Sequence, residues 1–91
     1  MIEGYLCDII VIVKINVSFF AQSREIVGKS RMELDIQEGE AVSGLLKRLQ
    51  SQFPKLLEIQ CKVAVNTEYV KNDYELHNGD EIAIIPPISG G

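Results

Sequence analysis

With 91 residues, 46% of them hydrophobic and 24% charged, the chain has room for one small domain and the make-up of a globular one. A formal net charge of −4 offers no basic stripe to neutralise phosphates, which argues against a nucleic-acid partner. Cys7 and Cys61 stand far apart with a single histidine and no C-x-x-C pair, so neither a zinc nor an iron–sulfur site is indicated; they read as reduced, partly buried thiols, with one disulfide as the alternative.

The apolar run Ile9–Val13 is too short to cross a membrane and lacks the basic residues that open a secretory signal. The expected address is therefore the cytoplasm, without membrane contact. From Ile9 to Phe20 the odd positions Ile9, Val11, Val13, Ile15, Val17 and Phe19 are apolar, whereas Lys14, Asn16 and Ser18 are polar. This period of two predicts a long β-strand with its odd face inward. Phe20 breaks the polar face, either as a surface contact residue or by packing under the next loop. Ala21–Ser30 reads as a loop turning at Gly28. Met32, Leu34 and Ile36 alternate with Glu33 and Asp35, predicting a second strand in an antiparallel hairpin with the first, followed by a turn at Gln37-Glu38-Gly39.

Val42, Leu45, Leu46, Leu49 and Phe53 fall on one face of an α-helix, with Glu38 and Glu40 near its positive end. Pro54 restricts Phe53 and ends the helix. Gly44 inside it costs about 1 kcal/mol relative to Ala, a cost expected to be offset by close approach of helix and sheet. Lys55–Gln60 reads as an irregular or single-turn link. Lys62–Val65 is a third strand, Asn66-Thr67 a turn into Glu68–Val70, Asn78-Gly79 a second turn, and Glu81–Ile85 the last strand. The order β-β-α-β-(β)-β predicts an α+β class fold of the β-grasp type: a mixed sheet curled over one main helix, with the first and last strands adjacent at its centre. Residues 1–13 form an extension that could lengthen the first strand, 14–85 the domain, and 86–91 a tail.

That tail, Pro86-Pro87-Ile88-Ser89-Gly90-Gly91, is the most informative segment. Proline fixes φ and lacks an N–H, so the chain cannot continue as a central strand and leaves in an extended form. Gly90 and Gly91 have no Cβ and can pass through a channel that rejects side chains. Four extended residues reach roughly 13 Å, enough to enter a partner's active site. A free carboxylate is a poor electrophile, so a second enzyme must activate it, most simply as an acyl-adenylate, after which it can accept sulfur or be attacked by a lysine amine. Other candidates have plainer readings. His77 beside a turn has no nucleophile near it in sequence and reads as a solvated turn residue. Asp73, Asp80 and Glu81 read as a solvated acidic face, and Lys62 and Lys71 as ordinary surface lysines.

Phe19-Phe20-Ala21-Gln22-Ser23-Arg24-Glu25, Val63-Ala64-Val65-Asn66 and Asn78-Gly79-Asp80-Glu81-Ile82-Ala83, running into the Ile85–Gly91 tail, resemble the small, sulfur-carrying subunits of molybdopterin synthases. The resemblance runs from Lys14 to Gly91. It implies that Gly91 is adenylated by an E1-like enzyme at the expense of ATP and converted to a thiocarboxylate. The tail then enters the large subunit and gives its sulfur to a cyclic pyranopterin monophosphate. It also implies a heterotetramer of two small and two large subunits, no bound cofactor, and no catalysis by the chain alone. Phe20, Val65 and Ile85 would fall in the family's apolar contact surface, continued by Pro86, Pro87, Ile88 and Ser89, with Arg24 and Glu25 in a neighbouring loop. Met1–Val13 departs from the pattern as an extension. Alternatives are a sulfur carrier for thiamine or tRNA thiolation, a protein modifier joined to lysines through Gly91, and a plain binding module.

Overall fold

A computed structural model describes residues 11–87. Five strands, β1 (Ile12–Phe19), β2 (Arg31–Gln37), β3 (Lys62–Val65), β4 (Glu68–Tyr69) and β5 (Glu81–Ile85), lie in the order β2-β1-β5-β3-β4. The first and last strands are adjacent and parallel, with Phe19 beside Ile84, and β1–β2, β3–β5 and β3–β4 are antiparallel. This is the expected mixed β-grasp sheet. Among the described residues two α-helices accompany it, α1 (Ala21–Val27) and α2 (Val42–Gln52), and a 3-10 turn spans Pro54–Glu58.

The alternation read in β1 is realised directly. Val13, Ile15, Val17 and Phe19 face inward and meet Ile82 and Ile84 of β5, Val63 and Val65 of β3, and Val42, Leu45 and Leu49 of α2 in one core. Each such fully buried aliphatic side chain contributes about 1.5–3 kcal/mol by leaving water. Ile12 and Val13, from the supposed extension, belong to β1 and pair with Gln37 and Ile36; Met1–Ile10 lie outside the described residues.

Two expectations are corrected. Ala21–Val27 is helical rather than loop, and Gly28 ends it in the left-handed conformation at φ 83° with its N–H on the Arg24 carbonyl. A Cβ on Gly44 would meet the Glu40 side chain at 3.1 Å rather than the sheet, so the glycine does not serve sheet packing. The N-terminus of α2 is held by a strap: Val42 and Ser43 N–H donate to the carbonyls of Tyr74 and Asn72, and Leu76 N–H donates to the Glu40 carbonyl. That strap places Leu76 in the core, where it is completely buried.

Candidate functional site: the root of the tail

The tail leaves the sheet at the end of β5, so what fixes Ile84 and Ile85 aims it. On one side β5 pairs with β3, Ile85 opposite Lys62 and Ile84 opposite Val63. On the other side β1 ends at Phe19, and the Phe20 N–H reaches the Ile84 carbonyl at 3.3 Å. Ser23, on the first turn of α1, completes the junction. Its Oγ accepts the Phe20 N–H at 3.0 Å, donates to the Phe20 carbonyl at 2.7 Å, and lies 3.3 Å from the Ile84 carbonyl. The side chain is 0% exposed. A serine three residues after the helix cap, reaching back to the cap N–H, is half of a capping box. Sequence reasoning passed over Ser23, although that spacing from Phe20 was its signal.

The start of β5 is tied equally firmly. Asp80, only 8% exposed, accepts the His77 backbone N–H at 2.8 Å and Asn66 Nδ2–H at 3.0 Å. Asn66 also accepts the Glu81 N–H through Oδ1 and donates its own N–H to the Glu81 carbonyl. Asp80 is thus a buried bracing carboxylate, not part of a solvated face. Glu81 lies on the outer surface of the sheet, where Arg31 Nη2 sits 3.0 Å from its carboxylate. Asp73 and Glu81 are exposed, and no group of acidic, histidine or cysteine side chains among the described residues could hold a metal ion. His77 is exposed and its Nδ1 lies 3.8 Å from Glu38.

The outer face of the sheet divides in two. Over β2 and β1 it is charged: Lys14 bridges Glu33 and Asp35, and Arg31 bridges Glu81. Beyond Glu81, over the rest of β5 and over β3 and β4, it is mainly apolar, with Ala83, Ala64, Tyr69 and Ile85 in register and Lys62 Nζ 5.7 Å from the Tyr69 ring centroid. Tyr69 is 67% exposed. An open depression of about 480 Å³ adjoins the tail root, lined by Gln60, Cys61, Lys62, Tyr69, Ile85, Pro86 and Pro87. Cys61 is a free thiol whose pKa burial raises, so at neutral pH it stays protonated and is a weak nucleophile.

The structure separates the expected contact residues. Phe20 is 48% exposed beside the tail root, and Ile85 is half-buried on the apolar face. Val65 is 3% exposed in the core and presents no side chain to a partner. Pro86 is buried and Pro87 exposed, while Arg24 and Glu25 are exposed on α1. Ile88, Ser89, Gly90 and Gly91 lie outside the described residues, as does Cys7. Tyr69, which the sequence reading left out, contributes most to the exposed aromatic area of this face.

Comparison with known proteins agrees with this architecture. Residues 17–91 match the ThiS family. The molybdopterin synthase sulfur carrier subunit of Chlamydomonas reinhardtii is 40% identical over 82 residues, covering 86% of this chain and 99% of that one. A putative molybdopterin converting factor subunit 1 from Pyrococcus furiosus superposes with a TM-score of 0.77 at 30% identity, covering 84% and 99%. The small archaeal modifier protein 1 of Methanosarcina acetivorans does so with 0.72 at 25% identity, covering 89% and 99%. By sequence and by fold, this chain belongs to the ThiS family, and its kin there include sulfur carrier subunits of molybdopterin synthase.

Proposed function

We propose that this chain is the sulfur carrier subunit of a molybdopterin synthase, with Gly91 as its working end. The observation that carries the reading is the exit of Pro86-Pro87 from a central strand whose Ile84 carbonyl, one residue before its end, is contacted by the Phe20 N–H and the Ser23 hydroxyl. A rigid root with a slender glycine end suits delivery of a carboxylate into another protein. An E1-like enzyme joins the Gly91 carboxylate to AMP from ATP, releasing pyrophosphate. A sulfur donor then displaces AMP and leaves the thiocarboxylate. In the large subunit the thiocarboxylate sulfur bonds to a side-chain carbon of the cyclic pyranopterin monophosphate as a C–O bond at that carbon breaks, and hydrolysis of the resulting acyl–sulfur link restores the Gly91 carboxylate. A second thiocarboxylated carrier supplies the second sulfur of the dithiolene. The chain binds no cofactor and supplies no general acid or base.

The apolar half of the outer face, with Phe20, Ile85 and Tyr69 exposed to different degrees around the tail root, suits docking on the large subunit. Two carriers on a dimer of large subunits would complete a heterotetramer in the cytoplasm. A second reading, a modifier joined to lysines through the same activated Gly91, is favoured by the fold shared with the archaeal modifier protein. The test converts Gly91 to its thiocarboxylate and mixes it with a large subunit and the pyranopterin substrate. Dithiolene formation with loss of the thiocarboxylate supports the proposal. An unchanged thiocarboxylate, in a tube where a known carrier works, refutes it, and Gly91-dependent lysine conjugates in cell extract would then support the modifier.

A further inference from the structure

The outer edge of β2 is complementary to itself. Ser30 accepts the Phe19 N–H and Glu38 donates to the Val11 carbonyl, so the even-numbered residues of β2 turn their backbone groups toward β1. Alternation then points the N–H and C=O of Arg31, Glu33 and Asp35 away from the sheet. Arg48 Nη1 takes the Asp35 carbonyl at 3.0 Å. Among the described residues no strand covers this edge, which leaves both backbone groups of Arg31 and Glu33 open. An open edge of this kind is a template for another strand.

The charges along it decide which strand. Lys29 and Arg31 are basic, Glu33 and Asp35 acidic, and all four are exposed. If two copies pair antiparallel about Met32, each Arg31 faces the other copy's Glu33, and each Lys29 faces the other copy's Asp35. Every opposed pair is then of opposite sign. A two-fold about Arg31 sets Arg31 against itself, one about Glu33 sets Glu33 against itself, and one about Leu34 sets Glu33 against Asp35. Like charges directly opposite are destabilising, so one register is selected. In that register Arg31 and Glu33 of the two copies also exchange both backbone hydrogen bonds, the same groups left open in the single chain.

We propose that the free chain associates with a second copy through β2, antiparallel about Met32, joining the two sheets into one. The contact is short, because Arg48 already occupies the Asp35 carbonyl, so the pair forms reversibly. It lies on the far side of β1 from β5 and leaves the tail root uncovered.

Sedimentation velocity on the full chain across a concentration series, at low and high salt, tests this. Self-association that weakens with salt is expected, since the opposed charges are exposed. Arg31→Glu and Glu33→Arg should each weaken it at least about tenfold, because each sets like charges opposite one another at both ends of the pair. Mixing these two variants should restore association, as every opposed position is again of opposite sign. Lys29→Glu, outside β2 and away from the Arg31–Glu81 ion pair, should give a smaller, about threefold loss. Circular dichroism melts verify that each variant is folded. A chain that stays monomeric at every concentration, single variants that associate as well as the parent, or a mixture that fails to associate would each overturn the proposal; the second result would assign the contact to the apolar face or to Met1–Ile10.

Discussion

Ser23→Ala should destabilise the domain well beyond what a surface serine would. The change removes an O–H···O bond of 2.7 Å to the Phe20 carbonyl and an N–H···O bond of 3.0 Å from Phe20, both made by a hydroxyl on a fully buried residue. Loss is partly offset: the Phe20 carbonyl still receives the Ser23 N–H at 3.1 Å, and the Phe20 N–H still has the longer 3.3 Å contact to Ile84. With a net value of about 0.5–1.5 kcal/mol for each bond lost, the cost comes to about 1–2 kcal/mol. For a domain of this size about 1 kcal/mol moves Tm by roughly 4–8 °C, so a fall of about 4–16 °C is expected. Thermal and urea unfolding followed by circular dichroism would measure it, with Ser51→Ala on the exposed side of α2 as a control expected within about 0.5 kcal/mol of the parent. A Ser23→Ala midpoint within 1–2 °C of the parent, by about the same scaling, would refute the view that this hydroxyl holds the root of the tail.

Further consequences follow from the turns around β5. Asn66 and Thr67 both have positive φ, at 51° and 74°, in the two-residue turn between β3 and β4. A β-branched residue is poorly suited to that geometry, so Thr67→Gly should raise stability by about 1 kcal/mol and Tm by roughly 4–8 °C. Asp80→Ala strips a buried carboxylate from the His77 N–H and Asn66 amide; it should cost about 2–3 kcal/mol, with faster hydrogen exchange at Asn66 and Glu81 as the local readout. Removing Gly91 should leave the melting curve unchanged, yet abolish formation of the adenylate and thiocarboxylate as read by intact mass.

The main strands were legible because their physics is local. Period-two alternation in Val13–Phe19 and the helical stripe Val42, Leu45, Leu49 state which face is buried, and the core follows them. The end of the last strand at Pro86-Pro87 was legible for the same reason: proline restricts the backbone wherever it stands. α1 was hidden because its inward stripe is Ser23, Ile26 and Val27, in which a serine occupies a position where periodicity looks for an apolar residue. Val65 was placed on a contact surface because resemblance assigns a segment, whereas only strand pairing decides which side of it faces out.

Local pattern alone therefore determined the β-grasp order, the main helix and the end of the last strand at Pro86-Pro87. The tertiary structure decided where polar groups lose water. Ser23 and Asp80 look like surface residues in sequence, and each becomes a buried brace only because segments about sixty and fourteen residues apart meet around it. The division of the outer face into charged and apolar halves, and the open edge of β2, were decided there as well. Both depend on which strands become neighbours, and the hydrogen-bonded ladder of the whole sheet sets that order.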